Sequence, residues 1–214
     1  GELYLIDAKD KGISVTELVT VDKTRPSIEL NLDKVGAELL PGSEKNQEVI
    51  NKVLDAGRLM LSADSVGAAQ IMLDKAVAYS LERKQFGRVI GSFQAVKHMC
   101  AEMAAELEPC HSMIWHAAHC YDHDPSQARL MACHTKAHVS EVGKQISKTS
   151  TEVHGGMGFT DELGLHYWFK RIGLNRQLLG SPELVREEAA RIQNFDQSPA
   201  EGQVNKEVGN PLLV

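Results

Sequence analysis

Aromatic residues are scarce in this sequence, and this scarcity already favours one class of fold. Only 5% of the 214 residues are Phe, Trp or Tyr, and the apolar content is mostly Leu, Val, Ile, Met and Ala. That mixture favours packed helices over a β-sandwich. The sequence also lacks any run of about 18 or more apolar residues, so it predicts no membrane-spanning helix.

An excess of positive charge is absent too. The chain has 23 Lys and Arg against 29 Asp and Glu, a net charge of −6. Nucleic-acid binding needs a basic face, so we predict no nucleic-acid partner. No signal peptide is visible, and we expect a cytoplasmic protein. Gly1 falls in what reads as the middle of a strand, so we expect further chain upstream of it.

Closely spaced cysteine pairs are also missing. The four cysteines are Cys100, Cys110, Cys120 and Cys133. Their spacing contains no CxxC zinc pattern, and a chain of this size without a secretory context does not favour a disulfide framework. We therefore predict buried free thiols.

The sequence contains nine histidines, whose side chains are potential metal ligands. His116, His119 and His123 share a helical face, while His134 and His138 are four residues apart. No carboxylate completes an obvious site, and the His-Glu-x-x-His pattern is absent. We read these histidines as surface groups and predict no metal site.

Short strands are predicted in residues 1–42, which we assign as the end of a β-domain. An apolar run covers 3–6, a strict apolar–polar alternation covers 28–32, and Pro41-Gly42 closes the segment. Three or four short strands cannot form a sheet with a core of its own. We therefore expect these strands to be the tail of a truncated β-domain, or a sheet that needs a partner.

Helical periodicity dominates the rest of the chain. Long helices are predicted from Ser43 to about Arg83, from a cap at Ser92, and from Pro125 to about Val153. Shorter helices are predicted over 161–172 and 182–194. Heptad spacing in the second and third helices predicts an antiparallel up-and-down bundle of the four-helix type, so the fold is mainly α. The bundle is assigned to residues 43–195 and a loose tail to 196–214.

Two stretches interrupt the helices, and each has two interpretations. Arg83, Lys84 and Arg88 surround a corner where cations could simply complement a helix carboxyl terminus. The run from His154 to Gly158 is rich in glycine but lacks the Lys-Ser/Thr of a phosphate loop. It could be a helix C-cap, or it could let a flat ligand approach the backbone closely.

Taken together, the two stretches resemble the carboxyl-terminal half of the acyl-CoA dehydrogenase family over residues 1–193. The motif residues are Tyr79, Arg83, Gln85, Phe86, Gly87, Ile90, Gly91, Phe93 and Gln94, and then the run His154 to Thr160. The resemblance implies an FAD-dependent oxidoreductase of fatty acid or lipid metabolism that dehydrogenates an acyl-CoA. It also implies an electron-transfer acceptor and a homo- or hetero-oligomer.

The resemblance assigns roles to particular residues. Those implied to meet the FAD of a neighbouring subunit are Arg83, Gln85, Phe86 and Gln94, and those implied to line its adenine end are Glu152, Gly155, Gly156 and Gly158. The family usually has Gln in place of Glu152. Asp55 and Arg58 match positions that meet the acyl-CoA. An arginine suits a pyrophosphate because its planar fork donates two parallel hydrogen bonds.

The expected catalytic base is missing. In the family a glutamate that removes the substrate α-proton precedes a Gly-Thr or Gly-Ser pair, and here Leu179 precedes Gly180-Ser181. The alternative position on the first bundle helix is Gly57. Neither residue can accept a proton. Glu183 is the remaining candidate, although it matches a flavin-side position.

Three hypotheses therefore stay open. In the first, the chain is the base-lacking subunit of a hetero-oligomeric acyl-CoA dehydrogenase. In the second, it is a competent dehydrogenase with a non-standard base. In the third, it is a helical interaction module without flavin.

Overall fold

A computed structural model describes residues 2–42 and 47–195. Its five α-helices are α1 (Gln47–Glu82), α2 (Gln94–His123), α3 (Pro125–His154), α4 (Leu165–Gln177) and α5 (Pro182–Ile192). Short 3-10 turns cover Ile90–Ser92 and Gly155–Phe159. The mainly α fold predicted from the periodicity is confirmed. None of the described helices is long and apolar enough to cross a membrane.

The core lies between α1, α2 and α3. The heptad positions predicted on α2 and α3 point into it, and Leu107 and Ile146 are almost fully buried. On α1 the helical spacing of apolar residues predicts a buried stripe that includes Leu73, Val77 and Leu81. This prediction is partly wrong, because Val77 and Leu81 are 38% and 64% exposed. The buried face of α1 is instead lined largely by small residues such as Ala69 and Ala76, which allow the helices to pack closely.

Two helix starts differ from the sequence prediction. Helix α2 begins after Phe93, and Ser92 belongs to the preceding 3-10 turn, where its hydroxyl donates to the Val89 carbonyl at 2.7 Å. Helix α4 begins at Leu165 instead of residue 161, because Gly164 adopts a left-handed conformation (φ 65°) that ends the preceding turn. The predicted cap at Ser43 and the predicted tail 196–214 lie outside the described residues.

The strands in the first 42 residues pair two by two. Strand β1 (Tyr4–Ile6) is antiparallel to β4 (Ala37–Leu39), and β2 (Ile13–Leu18) is antiparallel to β3 (Ser27–Leu32). Most of their side chains are exposed. The expectation that these strands lack a core of their own is met within residues 2–42.

A polar network joins the strand segment to the bundle. Arg25, in the loop before β3, donates to the Asn175 side-chain oxygen at 2.7 Å and pairs with Asp64 at 3.3 Å. Arg171 of α4 binds both oxygens of Asp64, at 2.9 and 3.2 Å. Asn175 is fully buried and also donates to Asp64. The loop between β2 and β3 is therefore fixed against α1 and α4.

The cysteines are free thiols, as the spacing predicted. Cys110, Cys120 and Cys133 are buried, while Cys100 is half-buried. Burial raises the pKa of Cys110 and of Cys133 to about 11. These two thiols are therefore protonated and poorly reactive at neutral pH.

Candidate functional site

The two motif stretches meet in one open groove of about 450 Å³. We call it the glycine groove, and it is lined by Tyr79, Arg83, Gln85, Ile90, Val153, His154, Gly155, Gly156 and Met157. One wall comes from the end of α1, and the other from the 3-10 turn after α3. The structure thus brings together residues about 70 positions apart that the sequence marked as one site.

A two-residue hairpin forms the corner after α1. Strands β5 (Lys84–Gln85) and β6 (Arg88–Val89) are antiparallel, and Phe86 and Gly87 between them have φ values of 52° and 78°. Two successive positive φ values are typical of a type I′ turn, whose twist suits a tight hairpin. The sequence analysis predicted a sharp turn here but not the strands. The turn leaves the Phe86 ring 91% exposed at the tip of the hairpin.

The glycines of the second stretch have different structural reasons. Gly155 ends α3 in a conformation with φ of 58°, and a Cβ built on Gly155 or Gly156 would meet no atom within 4 Å. Their backbone is therefore open to a ligand. A Cβ on Gly158 would lie 2.7 Å from the Thr151 carbonyl oxygen. Gly158 is therefore required by packing against α3.

This difference gives a testable prediction. We expect Gly158→Ala to lower the free energy of unfolding by about 1–3 kcal/mol, because the new methyl group overlaps a backbone oxygen that cannot move freely. Gly156→Ala is the matched control, and it should leave stability within about 0.5 kcal/mol of the parent. Urea denaturation followed by circular dichroism measures both. Equal stability of the two variants would contradict the packing role of Gly158.

His154 forms part of the groove floor, although the sequence did not single it out as a site residue. Its Nδ1 lies 2.7 Å from the Ser150 carbonyl oxygen, and its ring stacks on Tyr79 with centroids 4.6 Å apart. Burial lowers the pKa of His154, so the ring is neutral at pH 7 and its Nδ1–H donates to Ser150. This contact fixes the end of α3, from which the glycine turn begins.

The remaining predicted flavin residues lie outside the groove lining. Arg83, Gln85, Gly155 and Gly156 line it, whereas Gly158 is buried beneath the turn. The other three have exposed side chains and are Phe86, Gln94 and Glu152.

The two predicted base positions contact one another. Leu179 lies in the turn between α4 and α5, with φ of 57°, and is followed by Gly180 with φ of 109°. A Cβ built on Gly57 would lie 2.3 Å from Cδ1 of Leu179. The leucine side chain therefore occupies the space above Gly57 on α1. A glycine inside a long helix suggests a close approach by a neighbouring group, and at Gly57 that group is the Leu179 side chain.

A buried group of charges lies directly behind this contact. We call Asp55, Arg58, Arg129 and Glu188 the ionic cluster. Arg58 donates to Asp55 at 3.2 Å, to Glu188 at 2.8 Å and, through Nε, to the Leu179 carbonyl at 3.0 Å. Arg129 also pairs with Glu188. The cluster ties α1, α3 and α5 to the turn that carries Leu179.

Burial and pairing compete in the ionic cluster. Burial raises the pKa of Asp55 in spite of the two arginines. Burial would also raise the pKa of Glu188, but Arg58 and Arg129 outweigh it and hold that pKa below its usual value. Glu188 and Arg129 were not predicted from the sequence. They lie on different helices, and no local pattern marks them as partners.

An open cavity of about 610 Å³ borders the ionic cluster. Its lining includes Arg58, Arg129, Leu179, Gly180 and Leu184. Of the two predicted acyl-CoA contacts, Arg58 lines this cavity. Asp55 is turned to a neighbouring cavity of about 430 Å³ between the ends of α1, α2 and α3.

Glu183, the remaining candidate base, is poorly suited to take a proton. Its carboxylate accepts a hydrogen bond from Arg176 at 2.7 Å. The Ser181 hydroxyl, the Glu183 backbone N–H and Arg176 together lower the pKa of Glu183 to about 2. A carboxylate this acidic is a weak base at neutral pH.

Metal ligands do not converge in residues 2–42 or 47–195. No group of three or more His, Cys, Asp or Glu side chains there is arranged to hold an ion. His119 and His123 do stack on each other, with ring centroids 4.7 Å apart, on the exposed side of α2.

Comparison with known proteins places this arrangement in a family. The model of the acyl-CoA dehydrogenase C-terminal domain matches residues 47–193. Subunit CarC of the caffeyl-CoA reductase–Etf complex from Acetobacterium woodii is 34% identical over 165 residues, which are 74% of this chain and 43% of CarC. The acyl-CoA dehydrogenase IpdE2 from Mycolicibacterium smegmatis is 30% identical over 169 residues, which are 79% of this chain and 51% of IpdE2.

Solved structures share the fold. The Tcur3481-Tcur3483 steroid acyl-CoA dehydrogenase G363A variant superposes with a TM-score of 0.81 at 26% identity, and the match covers 91% of this chain and 52% of that one. The chain thus spans about half the length of the relatives it matches.

Proposed function

Because the chain belongs to the acyl-CoA dehydrogenase family, we propose that it is the base-lacking subunit of a hetero-oligomeric, FAD-dependent acyl-CoA dehydrogenase. In this proposal it contributes flavin contacts and structure, and a partner subunit carries the glutamate. The observation that carries the proposal is the contact between Leu179 and Gly57. Both positions expected to hold the base are filled by groups that cannot bind a proton.

The glycine groove has features that suit FAD, and family members are FAD-dependent flavoproteins. Gly155 and Gly156 expose open backbone, Arg83 and Gln85 offer side-chain donors, and Phe86 presents an exposed ring. We propose that Arg83 meets the pyrophosphate, because a guanidinium fork matches two phosphate oxygens. Gln94 and Glu152 would contribute from the rim, and Gly158 would shape the turn. FAD, when bound, would supply the acceptor for a hydride from the substrate.

We propose that the cavity lined by Leu179 and Arg58 faces the acyl-CoA. Arg58 lines the cavity beside Leu179 and could orient the thioester, while Asp55 would fix Arg58. In this arrangement the chain would bind and orient the substrate. It would not move a proton, because Leu179 offers no acceptor.

Partners are proposed from the relatives and from the exposed strands. CarC belongs to an Etf complex by name, so an electron-transfer acceptor is proposed here as well.

Residues 1–42 are proposed as the end of a middle β-domain, residues 43–195 as the bundle domain and residues 196–214 as a tail. The free cysteines support the proposed cytoplasmic location, since thiols persist in reducing compartments.

The proposal predicts that the chain is inactive alone. The chain, expressed with its natural upstream region, should bind flavin yet show no acyl-CoA dehydrogenation with an artificial electron acceptor. Activity should appear only when a base-carrying subunit is added. Robust turnover without a partner would contradict the proposal and favour a non-standard base.

Glu183→Gln then separates the alternatives. If the chain turns over alone and the substitution abolishes turnover, Glu183 is the base despite its low pKa. Protein that stays colourless after reconstitution with FAD and with its partner would favour a helical module without flavin.

A further inference from the structure

Two buried cations donate hydrogen bonds where α4 ends, one to the last turn of α4 and one to the turn that joins α4 to α5, residues 178–181. Arg58 of α1 donates through Nε to the Leu179 carbonyl at 3.0 Å, and Lys136 of α3 donates through Nζ to the Asn175 carbonyl. We infer that Lys136 and Arg58 are positioning residues that hold this turn so that the residue-179 side chain faces Gly57.

Lys136 is buried without a carboxylate partner. It is 1% exposed, and no salt bridge among the described residues includes it. Within residues 2–42 and 47–195, its Nζ donates to oxygens of two neutral groups, the Asn175 carbonyl and the Ser140 hydroxyl, the latter at 3.5 Å. Burial, with Arg58 and Arg176 nearby, lowers its pKa to about 8. A buried cation without a counter-ion destabilises the fold. The hydrogen bond from Lys136 to the Asn175 carbonyl, at the end of α4, offsets part of this cost.

The Asn175 carbonyl, which accepts the hydrogen bond from Lys136, lies at a helix end where carbonyls lack donors. Helix α4 ends at Gln177, so the Asn175 carbonyl belongs to its last turn, where carbonyls lack helical donors. A cation there also complements the helix dipole. Lys136 therefore fixes the point at which the chain leaves α4, four residues before Leu179.

Arg58 fixes the other side of the turn. Two of its nitrogens are held by Asp55 and Glu188, which leaves Nε directed at the Leu179 carbonyl. The turn needs this support because Leu179 adopts a left-handed conformation that L-residues other than glycine rarely take. Lys136 thus fixes the last turn of α4, and Arg58 fixes the strained residue that follows it, Leu179.

The inference rests on the proposed function only in naming residue 179 as the base position. The placement of the turn is a property of this chain and can be measured without flavin or acyl-CoA. Lys136 does not line the cavity beside Leu179, so its role is positioning only, whereas Arg58 both lines that cavity and holds the turn.

The reactivity of a thiol introduced at residue 179 measures how firmly the turn 178–181 is held in place. Leu179 is 40% exposed although its side chain contacts Gly57. In Leu179→Cys, the rate of reaction with a disulfide reagent at pH 7 therefore measures how closely the side chain is held against Gly57, and the parent chain supplies the background from its own cysteines. Adding Lys136→Met should raise this rate about fivefold or more, because the turn opens locally more often. Leu184→Cys, at a position that is 61% exposed on α5, is the matched control and should react at the same rate with and without Lys136→Met.

Folding and rescue complete the experiment. Lys136→Met replaces a buried charge by an apolar chain of similar size, so it should unfold at the same temperature as the parent or higher. Lys136→Arg keeps a cationic donor and should keep residue 179 slow to react. An unchanged rate in Lys136→Met, or an equal rise at residue 184, would overturn the inference. A fast rate in Lys136→Arg would overturn it as well.

Discussion

Replacing Arg58 with methionine is expected to lower the free energy of unfolding by about 3–5 kcal/mol. The Arg58 side chain is 7% exposed and that of Asp55 is 5% exposed. Removing the guanidinium leaves Asp55 in a buried site with only Arg129 nearby, at 3.9 Å. It also removes the donor to the Leu179 carbonyl. Losing one partner of a buried pair costs more than the pair contributes, because the remaining charge stays desolvated.

Urea denaturation of parent and variant measures this loss. Arg191→Met is the matched control, because Arg191 pairs with Glu187 on the exposed side of α5, with side-chain exposures of 64% and 57%. An exposed pair of this kind should change stability by less than about 1 kcal/mol. If both variants lost the same small amount, the ionic cluster would contribute no more than a surface pair.

The loss in Arg58→Met should depend on pH. Without Arg58, the pKa of folded Asp55 rises further above its unfolded value, so protonation favours the folded state. The deficit is therefore expected to shrink as the pH falls from 7 toward 4. A deficit that is constant over this range would show that Asp55 is not the group left unpaired.

If the proposed function is right, Leu179→Glu is expected to introduce a base that can abstract the substrate α-proton. The glutamate would replace a leucine of similar length that already lies over Gly57, and Gly57 has no side chain to obstruct it. A positioned general base contributes about 10²–10⁴-fold, so dehydrogenation of an acyl-CoA should rise at least a hundredfold over the parent background. The measurement uses FAD-loaded protein with its natural upstream region and with a partner whose own catalytic glutamate is replaced by glutamine, so that residue 179 is the base under test.

Exchange of the substrate α-proton in D2O isolates the step assigned to residue 179. Leu184→Glu is the control, since Leu184 lines the same cavity from α5 but does not contact Gly57. Exchange in Leu179→Glu but not in Leu184→Glu is expected. Equal exchange in both variants, or none in a flavin-loaded Leu179→Glu, would mean that residue 179 does not face the substrate.

The helical bundle could be predicted because its signal is periodic. On α2 and α3 apolar residues recur at heptad spacing along one seam, and Leu107 and Ile146 on that seam are buried as predicted. On α1 the same reasoning failed for Val77 and Leu81, since small residues on that helix form the close contacts. Residue size, and not hydrophobicity alone, decides which face of a long helix is covered.

The candidate site could be predicted only in part. Motif resemblance marked Arg83, Gln85 and the glycines, and these do line one groove. Arg129 and Glu188 meet across α3 and α5, and nothing in the local sequence of either helix identifies the other. Pairings of this kind depend on tertiary geometry, as does the position of Lys136 beneath the end of α4.

The contact between Gly57 and Leu179 constrains the order in which substitutions could introduce a base at either position. A side chain added at residue 57 collides with Leu179 Cδ1, whereas a glutamate at residue 179 meets only a glycine. A single substitution at residue 179 could therefore introduce a base there. A base at residue 57 would first need a smaller residue, or an outward rotation, at 179. Substitutions at the two positions are therefore expected to be epistatic, and their effects should not add.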